Sequence, residues 1–250
     1  MNQVIKQVTR VALVTGAGRR IGAAIAEHLH QAGFRVAIHC HQSFEAAHLL
    51  ACEMNLERPD SAMVFQADLT SKHSAQKLMT QVLEWAPKLS LLVNNAAIFK
   101  KTTLNDDRFW DAIFTLNVKA PFWLSHEAFI PLSKQEGSII NITDLHAIRP
   151  LKGYSIYCQS KAALGMQTQS LAREFAPLVR VNAIAPGAMA WPEDDNALSE
   201  QQQQKIIKNT PLKRHGDPLF IANAVLAIAE NPFITGQTLC VDGGRGLIQG

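Results

Sequence analysis

Three residues in one stretch of the chain have the types and the spacing needed for proton transfer. Tyr157 stands four residues before Lys161, and Asp144 stands thirteen residues before Tyr157. Residues i and i+4 share one face of a helix, so a helix over 154–175 would turn the phenol and the ammonium toward one pocket. A nearby ammonium stabilises phenolate and lowers a tyrosine pKa from about 10. The spacing predicts a proton donor usable near neutral pH, with Asp144 at the mouth of the same helix.

Each of these residues also has a structural interpretation. Asp144 is suited to capping a turn or a helix, and Tyr157 is suited to a core position with its hydroxyl at the surface. Tyr154 is a rival phenol, but four residues after it stands Cys158 and not a lysine. We therefore expect Tyr154 to pack or to line a pocket.

Composition excludes several classes of protein. The chain has 250 residues, of which 47% are hydrophobic and 18% are charged, so one domain with a full core is expected. A net charge of +3 without a basic stripe argues against nucleic acid. The four cysteines have no metal or redox spacing, and we expect no metal. Without a long apolar run or a leader-like start, no membrane span is expected, and a cytoplasmic location is.

Short apolar runs alternate with helix-length amphipathic stretches. Strands are expected at 11–14, 35–39, 62–66, 89–93, 137–143, 179–185 and 238–241. Helices are expected from the glycine-rich turn to about 32 and at 44–53, 71–85, 106–118, 121–132, 154–175 and 221–230. This order predicts an α/β fold: a single Rossmann-like domain over 1–250, with a doubly wound parallel sheet of about seven strands and helices on both faces. Polar residues near 201–204 indicate a surface helix within a mobile substrate lid at about 188–212.

A phosphate-binding loop is expected after the first strand. Residues 15–22 read TGAGRRIG, and their glycines let the backbone approach a diphosphate at a helix N-terminus. The second strand ends in 38–43, IHCHQS, with no acidic residue for a ribose hydroxyl. Arg19 and Arg20 add positive charge, so NADPH is favoured over NADH. Asp68 fits an adenine edge and a helix N-terminal role equally well, and His39 is expected to face the sheet without touching a ligand.

These residues together resemble the short-chain dehydrogenase/reductase family. The resemblance is carried by the glycine loop, Asp68, 94–97 (NNAA), Asn117, the Tyr157–Lys161 pair, Pro186–Gly187 and 241–244 (VDGG). It implies that Tyr157 is the catalytic acid, that Lys161 holds the nicotinamide ribose and lowers the tyrosine pKa, and that Asn117 anchors a proton-relay water. It also implies a homotetramer or a homodimer. The implied cofactor-binding residues are Gly16, Arg19, Arg20, Ile21, Gly22, His41, Ser43, Asp68, Leu69, Asn95, Ala96, Tyr157, Lys161, Pro186 and Gly187.

Two departures from the family pattern resemble pteridine reductases. Asp144 replaces the usual catalytic serine, and Arg20 replaces the central glycine of the loop. A partly buried carboxyl can share a proton with Tyr157 and feed the ring nitrogen of a dihydropterin, which a serine cannot. Gln42 departs from the arginine that some pteridine reductases carry.

The sequence thus predicts an NADPH-dependent pteridine reductase that acts on the C=N bond of dihydrobiopterin- or dihydromonapterin-like substrates, with dihydrofolate as a further candidate. Its expected substrate-binding residues are Arg20, Phe99, Asp144, Tyr157 and Trp191. Phe99 would stack on the pterin or belong to the core, and Trp191 would close the pocket or pin a surface loop.

Two alternatives remain open. The first is a carbonyl reductase of the same family, for example a 3-oxoacyl thioester reductase. An ionised Asp144 argues against it, because a carboxylate would repel a developing alkoxide. The second is an NADPH-binding regulator without catalysis. The set of Asn117, Tyr157 and Lys161 argues against this one, because binding alone does not require an activated tyrosine.

Overall fold

Seven strands form one parallel sheet in the computed structural model, which describes residues 10–103, 107–193 and 196–247. The strands are β1 (Val11–Val14), β2 (Arg35–Cys40), β3 (Ala62–Gln66), β4 (Leu91–Asn94), β5 (Ser138–Ile142), β6 (Arg180–Pro186) and β7 (Thr238–Val241). Every neighbouring pair is parallel. The expectation of a doubly wound parallel sheet is confirmed.

The strand order creates a crevice beside β1. The order is β3-β2-β1-β4-β5-β6-β7, so the chain adds β2 and β3 on one side of β1 and β4 to β7 on the other. Connections leave β1 and β4 in opposite directions at this switch point, and the gap between them opens at the carboxyl ends of the strands. The glycine loop follows β1 at this edge of the sheet.

Helices cover both faces of the sheet. They are α1 (Arg20–Gln31), α2 (Phe44–Glu57), α3 (Lys72–Trp85), α4 (Asp107–Phe114), α5 (Ala120–Ser133), α6 (Ser155–Phe175), α7 (Glu200–Lys208) and α8 (Pro218–Glu230). Buried side chains of α1, α2 and α8 form one core with the sheet, and those of α3, α5 and α6 form a second core on the opposite face. Burial on both faces explains why β1 is apolar throughout and why β4 is apolar up to its last residue, Asn94.

Several expected boundaries are wrong in detail. The helix expected at 44–53 continues to Glu57. The helix expected at 106–118 begins with a residue outside the described part, and a π-helical turn (Thr115–Lys119) joins α4 to α5 without a break. The last helix starts at Pro218 and not at 221, because the Asp217 side chain accepts a hydrogen bond from the Leu219 N–H and caps it.

The expected surface helix near 201–204 is confirmed as α7. Its Ser199 side chain accepts from the Gln202 N–H while the Gln202 side chain accepts from the Ser199 N–H, a reciprocal cap. Of the expected lid, residues 194 and 195 lie outside the described residues. Within the described residues, no helix combines the length and apolar character needed to span a membrane. The same residues contain no cluster of three or more His, Cys, Asp and Glu suited to a metal ion.

Candidate active site

The catalytic candidates meet at the carboxyl edge of β5 and the first turns of α6. Asp144 follows β5 and caps a short 3-10 turn (Leu145–Ala147), accepting a hydrogen bond of 2.7 Å from the His146 N–H through Oδ1. Tyr157 and Lys161 lie on the buried face of α6. The expectation that i, i+4 spacing places both on one face is confirmed, and the capping role of Asp144 coexists with a contact to Tyr157.

Tyr157 and Asp144 share a short hydrogen bond. The Tyr157 hydroxyl donates to Asp144 Oδ2 at 2.6 Å, and Tyr157 is only 4% exposed. Oxygen–oxygen distances of this length are typical of hydrogen bonds to ionised acceptors. Asp144 therefore fixes the direction of the Tyr157 hydroxyl beside the groove.

The pKa of Tyr157 is raised well above 10 and not lowered. Burial is the largest cause, followed by the negative charge of Asp144 and the hydrogen bond to it. The Lys161 Nζ atom lies 5.9 Å from the centroid of the Tyr157 ring. The sequence-based expectation that Lys161 lowers this pKa is wrong here, because spacing reveals the neighbouring ammonium but neither the burial nor the carboxylate.

Lys161 is itself strongly affected by burial. It is 3% exposed, and its Nζ donates to the backbone oxygen of Ile142 at 2.8 Å. Burial lowers its pKa from 10.5 to about 8, partly offset by the charge of Asp144. Lys161 therefore exchanges its proton within the working pH range, which suits a proton-transfer chain.

Asn117 is held by the π-helical turn. Its Oδ1 accepts from the Ile98 N–H at 2.8 Å, and its Nδ2 donates to the Ile98 oxygen and to Ser160 Oγ, both at 3.0 Å. Ser160 Oγ in turn donates to the Tyr157 backbone oxygen at 2.7 Å. Asn117 thus ties the chain after β4 to the catalytic helix, and its expected water-anchoring role stays a prediction.

A groove of about 730 Å³ runs along the switch point. It contains eleven of the expected cofactor-binding residues, namely Gly16, Arg19, Arg20, Ile21, Gly22, His41, Ser43, Asp68, Leu69, Asn95 and Ala96. Tyr157 and Lys161, on α6, lie beyond the carboxyl end of β5, where Lys161 bonds to Ile142. Gly187 follows β6 and donates to the Val241 oxygen at 2.8 Å, so Pro186 and Gly187 are placed at the same edge.

The glycine loop has the shape that close approach to a diphosphate requires. Gly16 has a φ of +64°, and a Cβ on Gly22 would collide with the Gly16 carbonyl oxygen. No side chain caps the N-terminus of α1, and its first turn carries no acidic residue. Its backbone N–H groups and dipole are therefore available for an anion. The residues present fit a phosphorylated dinucleotide, with Arg19, Arg20 and Lys100 in the lining.

Two residues support the loop from behind. His39 is 2% exposed, accepts from the Gly16 N–H through Nδ1 at 3.2 Å and contacts the Ala67 oxygen through Nε2 at 3.1 Å. Burial lowers its pKa to about 4, so it is neutral with Nε2 protonated. Thr15 Oγ1 accepts from the backbone N–H groups of Asn95 and Ala96 at 2.9 and 3.0 Å. His39 thus positions the loop and also lines the groove, and its expected lack of contact with a ligand stays a prediction.

Asn95 and Asp68 have local partners as well as groove positions. The Asn95 amide donates to the oxygens of Thr15 and Gly16 at 2.9 and 3.1 Å, so it locks the loop to β4. Asp68 Oδ1 accepts from the Thr70 N–H at 3.0 Å, while Ser71 and not Asp68 caps α3. Asp68 therefore stabilises its own turn and lines the groove at once, and an adenine contact stays a prediction.

Arg20 bonds to the chain after β6. Its φ is +56°, a left-handed conformation that costs a residue with a side chain about 1 kcal/mol. Its Nη2 donates to the backbone oxygens of Ala190 and Trp191, both at 3.1 Å. Arg19 approaches Glu193 at 3.5 Å in an exposed pair worth at most about 1 kcal/mol. Arg20 thus lines the groove and bonds to backbone oxygens, and its expected contact with substrate stays a prediction.

Phe99 and Trp191 both pack against protein. The Phe99 ring stacks on Tyr154 at 4.6 Å and meets Tyr157 edge to face at 4.8 Å. Trp191 lies 4.0 Å from the ring of His215, the arrangement expected if it pins a loop. One face of Phe99 is therefore covered by Tyr154, and substrate contacts of both residues stay predictions.

Sequence reasoning missed the positioning residues. The roles of His39, Thr15 and Asn196 depend on partners that are distant along the chain, and Asn196 bonds to Tyr154 and Phe99. Thr15 carries a usable signal, because a hydroxyl that ends a buried strand needs a hydrogen-bond partner.

The raised pKa of Tyr157 is directly measurable, because the chain has only two tyrosines. In Tyr154→Phe, Tyr157 is the only phenol. We expect its tyrosinate absorbance to appear well above pH 10 and to shift to lower pH when Asp144→Asn is added, since the negative charge is removed. Ultraviolet titration checks both. A midpoint below 10 in the single variant would contradict the assignment.

Removal of the buried ammonium should stabilise the fold. At pH 7 Lys161 is charged in both folded and unfolded chains, and its lowered folded pKa corresponds to a cost of about 3 kcal/mol. Lys161→Met should raise the free energy of unfolding at pH 7 by about 2 kcal/mol, after loss of the hydrogen bond to Ile142. The gain should shrink as pH rises from about 8 toward 10.5, where the folded chain loses its proton first.

Urea unfolding at several pH values tests this, with the exposed Lys88→Met as a matched control that changes stability by less than about 0.5 kcal/mol. A lower free energy of unfolding in Lys161→Met at pH 7 would show that the buried charge does not destabilise the fold.

Comparison with known proteins places nearly the whole chain in one family. Residues 16–245 match the family described as enoyl-(acyl carrier protein) reductase. A 3-oxoacyl-[acyl-carrier-protein] reductase FabG of Rickettsia bellii (strain RML369-C) is 37% identical over 94% of this chain and 96% of its own length. Nodulation protein G of Rhizobium sp. (strain N33) is 34% identical over 96% and 98%. The granaticin polyketide synthase putative ketoacyl reductase 2 of Streptomyces violaceoruber is 32% identical over 95% and 96%.

These relatives overturn the prediction of a pteridine reductase and, with it, of a pterin substrate. The likeness to ketoacyl reductases extends over nearly the full chain. The pterin assignment depended on a few positions, of which Arg20 bonds to backbone oxygens and Phe99 stacks on Tyr154. The fold, the groove and the buried tyrosine–lysine pair agree with the family match: the chain belongs to the short-chain dehydrogenase/reductase family.

Proposed function

We propose that this oxidoreductase uses NADPH to reduce the ketone of 3-oxoacyl thioesters to the 3-hydroxyacyl product. The observation that carries the proposal is the full-length likeness to relatives named 3-oxoacyl-[acyl-carrier-protein] reductases. The buried set of Asn117, Tyr157 and Lys161 supports it, because a binding protein has no need of a proton donor at the end of the groove. A homotetramer or homodimer in the cytoplasm remains part of the proposal.

The preference for NADPH is argued from charge at the end of β2. Family members bind NAD(P)H, and an acidic residue after the second strand would favour the free ribose hydroxyl. Here His41, Gln42, Ser43 and Arg19 all line the groove. A 2′-phosphate would meet hydrogen-bond donors at the end of β2, and it would compete with Glu193 for the Arg19 guanidinium.

Tyr157 is the proposed proton donor to the ketone oxygen. When bound, NADPH supplies the hydride to the carbonyl carbon. The Tyr157 hydroxyl then gives its proton to the oxygen, and the Lys161 ammonium stabilises the phenolate left behind. Burial of both residues strengthens this electrostatic effect, since water does not screen it.

Asp144 accepts hydrogen bonds through both of its oxygens, from the Tyr157 hydroxyl at 2.6 Å and from the His146 N–H at 2.7 Å. A carboxylate next to the ketone oxygen would oppose the negative charge that develops there. We therefore assign Asp144 to orienting the Tyr157 hydroxyl, and a serine in its place would remove the opposing charge.

The function is tested by following NADPH absorbance with acetoacetyl-pantetheine. We expect reduction with NADPH, weaker reduction with NADH, and a loss of about 10²- to 10⁴-fold in kcat/KM for Tyr157→Phe, which removes only the acid. NADPH binding followed by fluorescence is the control for that variant. Tight NADPH binding without oxidation by any ketone would instead favour a regulator.

The lowered pKa of Lys161 predicts a pH dependence. In the wild type, kcat/KM for the ketone should fall as pH rises through about 8, because Lys161 then loses the charge that stabilises the phenolate. Asp144→Ser should reduce the ketone at least as fast as the wild type, since serine is a neutral hydrogen-bond donor that brings no opposing charge. Asp144→Ala, which cannot donate, is the matched control. An Asp144→Ser variant without activity at any pH would refute this role.

A further inference from the structure

Asn196 joins three separate parts of the chain beside the catalytic tyrosine. Its Oδ1 accepts from the Tyr154 hydroxyl at 2.9 Å, and its Nδ2 donates to the Phe99 backbone oxygen at 3.0 Å. Tyr154 precedes α6, Phe99 follows β4, and Asn196 lies in the chain after β6. One side-chain amide thus uses both of its ends to connect elements that the sheet alone does not hold together.

The aromatic rings next to Asn196 form a wall against Tyr157. Phe99 stacks on Tyr154 with an interplanar angle of 10° and meets Tyr157 at 81°. Tyr154 is 8% exposed, and burial raises its pKa, so its hydroxyl remains a donor at working pH. Movement of Phe99 or Tyr154 would therefore move the surface that faces the reacting phenol.

The loop after Phe99 is fastened to the same helix. The Thr102 N–H donates to the Gly153 oxygen at 2.7 Å, and Thr102 Oγ1 lies 3.2 Å from Ser155 Oγ. These contacts hold the Phe99 side of the wall to α6 without any help from Asn196. The chain after β6 has a second anchor of its own, because Arg20 holds the oxygens of Ala190 and Trp191. Asn196 is the contact that sets how closely this chain approaches the wall.

We propose that Asn196 is a positioning residue that determines substrate specificity: it clamps the chain after β6 onto the Phe99–Tyr154 wall and so sets the width of the ketone pocket beside Tyr157. The inference rests on the proposed function for the nature of the substrate. A closer approach of this chain to the wall leaves less room for a methyl group on C2 of a 3-oxoacyl thioester, next to the reacting carbonyl, so the unbranched substrate should be preferred. An added methyl group in a tight pocket typically changes kcat/KM by about 10- to 200-fold.

The test compares acetoacetyl-pantetheine with its 2-methyl derivative in four proteins: the wild type, Tyr154→Phe, Asn196→Ala and the double variant. Tyr154→Phe keeps the stacked ring and removes only the hydroxyl. We expect the wild type to prefer the unbranched substrate by about 10-fold or more, and Asn196→Ala to reduce that preference at least threefold. KM for the unbranched substrate should rise about fivefold while kcat changes less than twofold, a size at the lower end of what two lost hydrogen bonds would give.

The double variant identifies the contact. If the clamp acts through the Tyr154–Asn196 hydrogen bond, Tyr154→Phe should add little to Asn196→Ala, because the bond is already absent. Hydrogen exchange of the backbone N–H groups in 196–199 should accelerate in both single variants without NADPH or substrate. Asn196→Gln is the conservative control. If it partly restores the selectivity, the effect comes from the amide hydrogen bonds and not from the size of the side chain alone.

Two failures can be told apart. Unchanged selectivity, KM and exchange in Asn196→Ala would overturn the clamp even if the ketone is reduced. Accelerated exchange, together with a wild type that binds NADPH but reduces neither thioester, would support the clamp as a structural contact and overturn both the proposed function and the specificity that rests on it.

Discussion

The hydrogen bond from Tyr157 to Asp144 is the contact on which the chemistry of this protein depends. Burial, the charge of Asp144 and this 2.6 Å hydrogen bond together raise the pKa of Tyr157. The family's usual serine in this position would carry no negative charge. Here the carboxyl group opposes formation of the phenolate that is left after proton transfer.

Most of the surrounding structure serves to hold these groups still. Asn117, in a π-helical turn, ties the chain after β4 to Ser160, next to Lys161 on α6. His39 and Thr15 support the glycine loop from behind, at the opposite end of the groove. Polar side chains that are themselves buried and satisfied make the positions of the reacting atoms depend on packing and not on flexible loops.

The sequence predicts the parts of this arrangement that depend on local rules. Apolar runs separated by amphipathic stretches predict the parallel sheet, and i, i+4 spacing predicts that Tyr157 and Lys161 share a face. The predicted lowering of the Tyr157 pKa is wrong, because burial and the charge of Asp144, which raise it, arise only when β5 and α6 meet. The side-chain contacts of Arg20 depend on a left-handed backbone at that residue, which a motif does not reveal. Contacts of Asn196 with Tyr154 and Phe99 join residues 42 and 97 positions apart.

The pteridine interpretation shows how local evidence misleads. Asp144, Arg20 and Phe99 each fit a pterin site by residue type, yet similarity over nearly the whole chain lies with ketoacyl reductases. The departure at Asp144 therefore has to be explained within ketone chemistry. A carboxyl group that orients the catalytic phenol through a 2.6 Å hydrogen bond provides that explanation.

The most direct measurement is a single turnover with NADPH that carries deuterium at the transferable position. Acetoacetyl-pantetheine would be quenched at short times across pH 6 to 9, and the product analysed by mass spectrometry. The account predicts deuterium on C3 of a 3-hydroxybutyryl thioester, formed more slowly as pH rises. An unlabelled substrate recovered in full despite bound NADPH, or a rate that increases with pH, would contradict it.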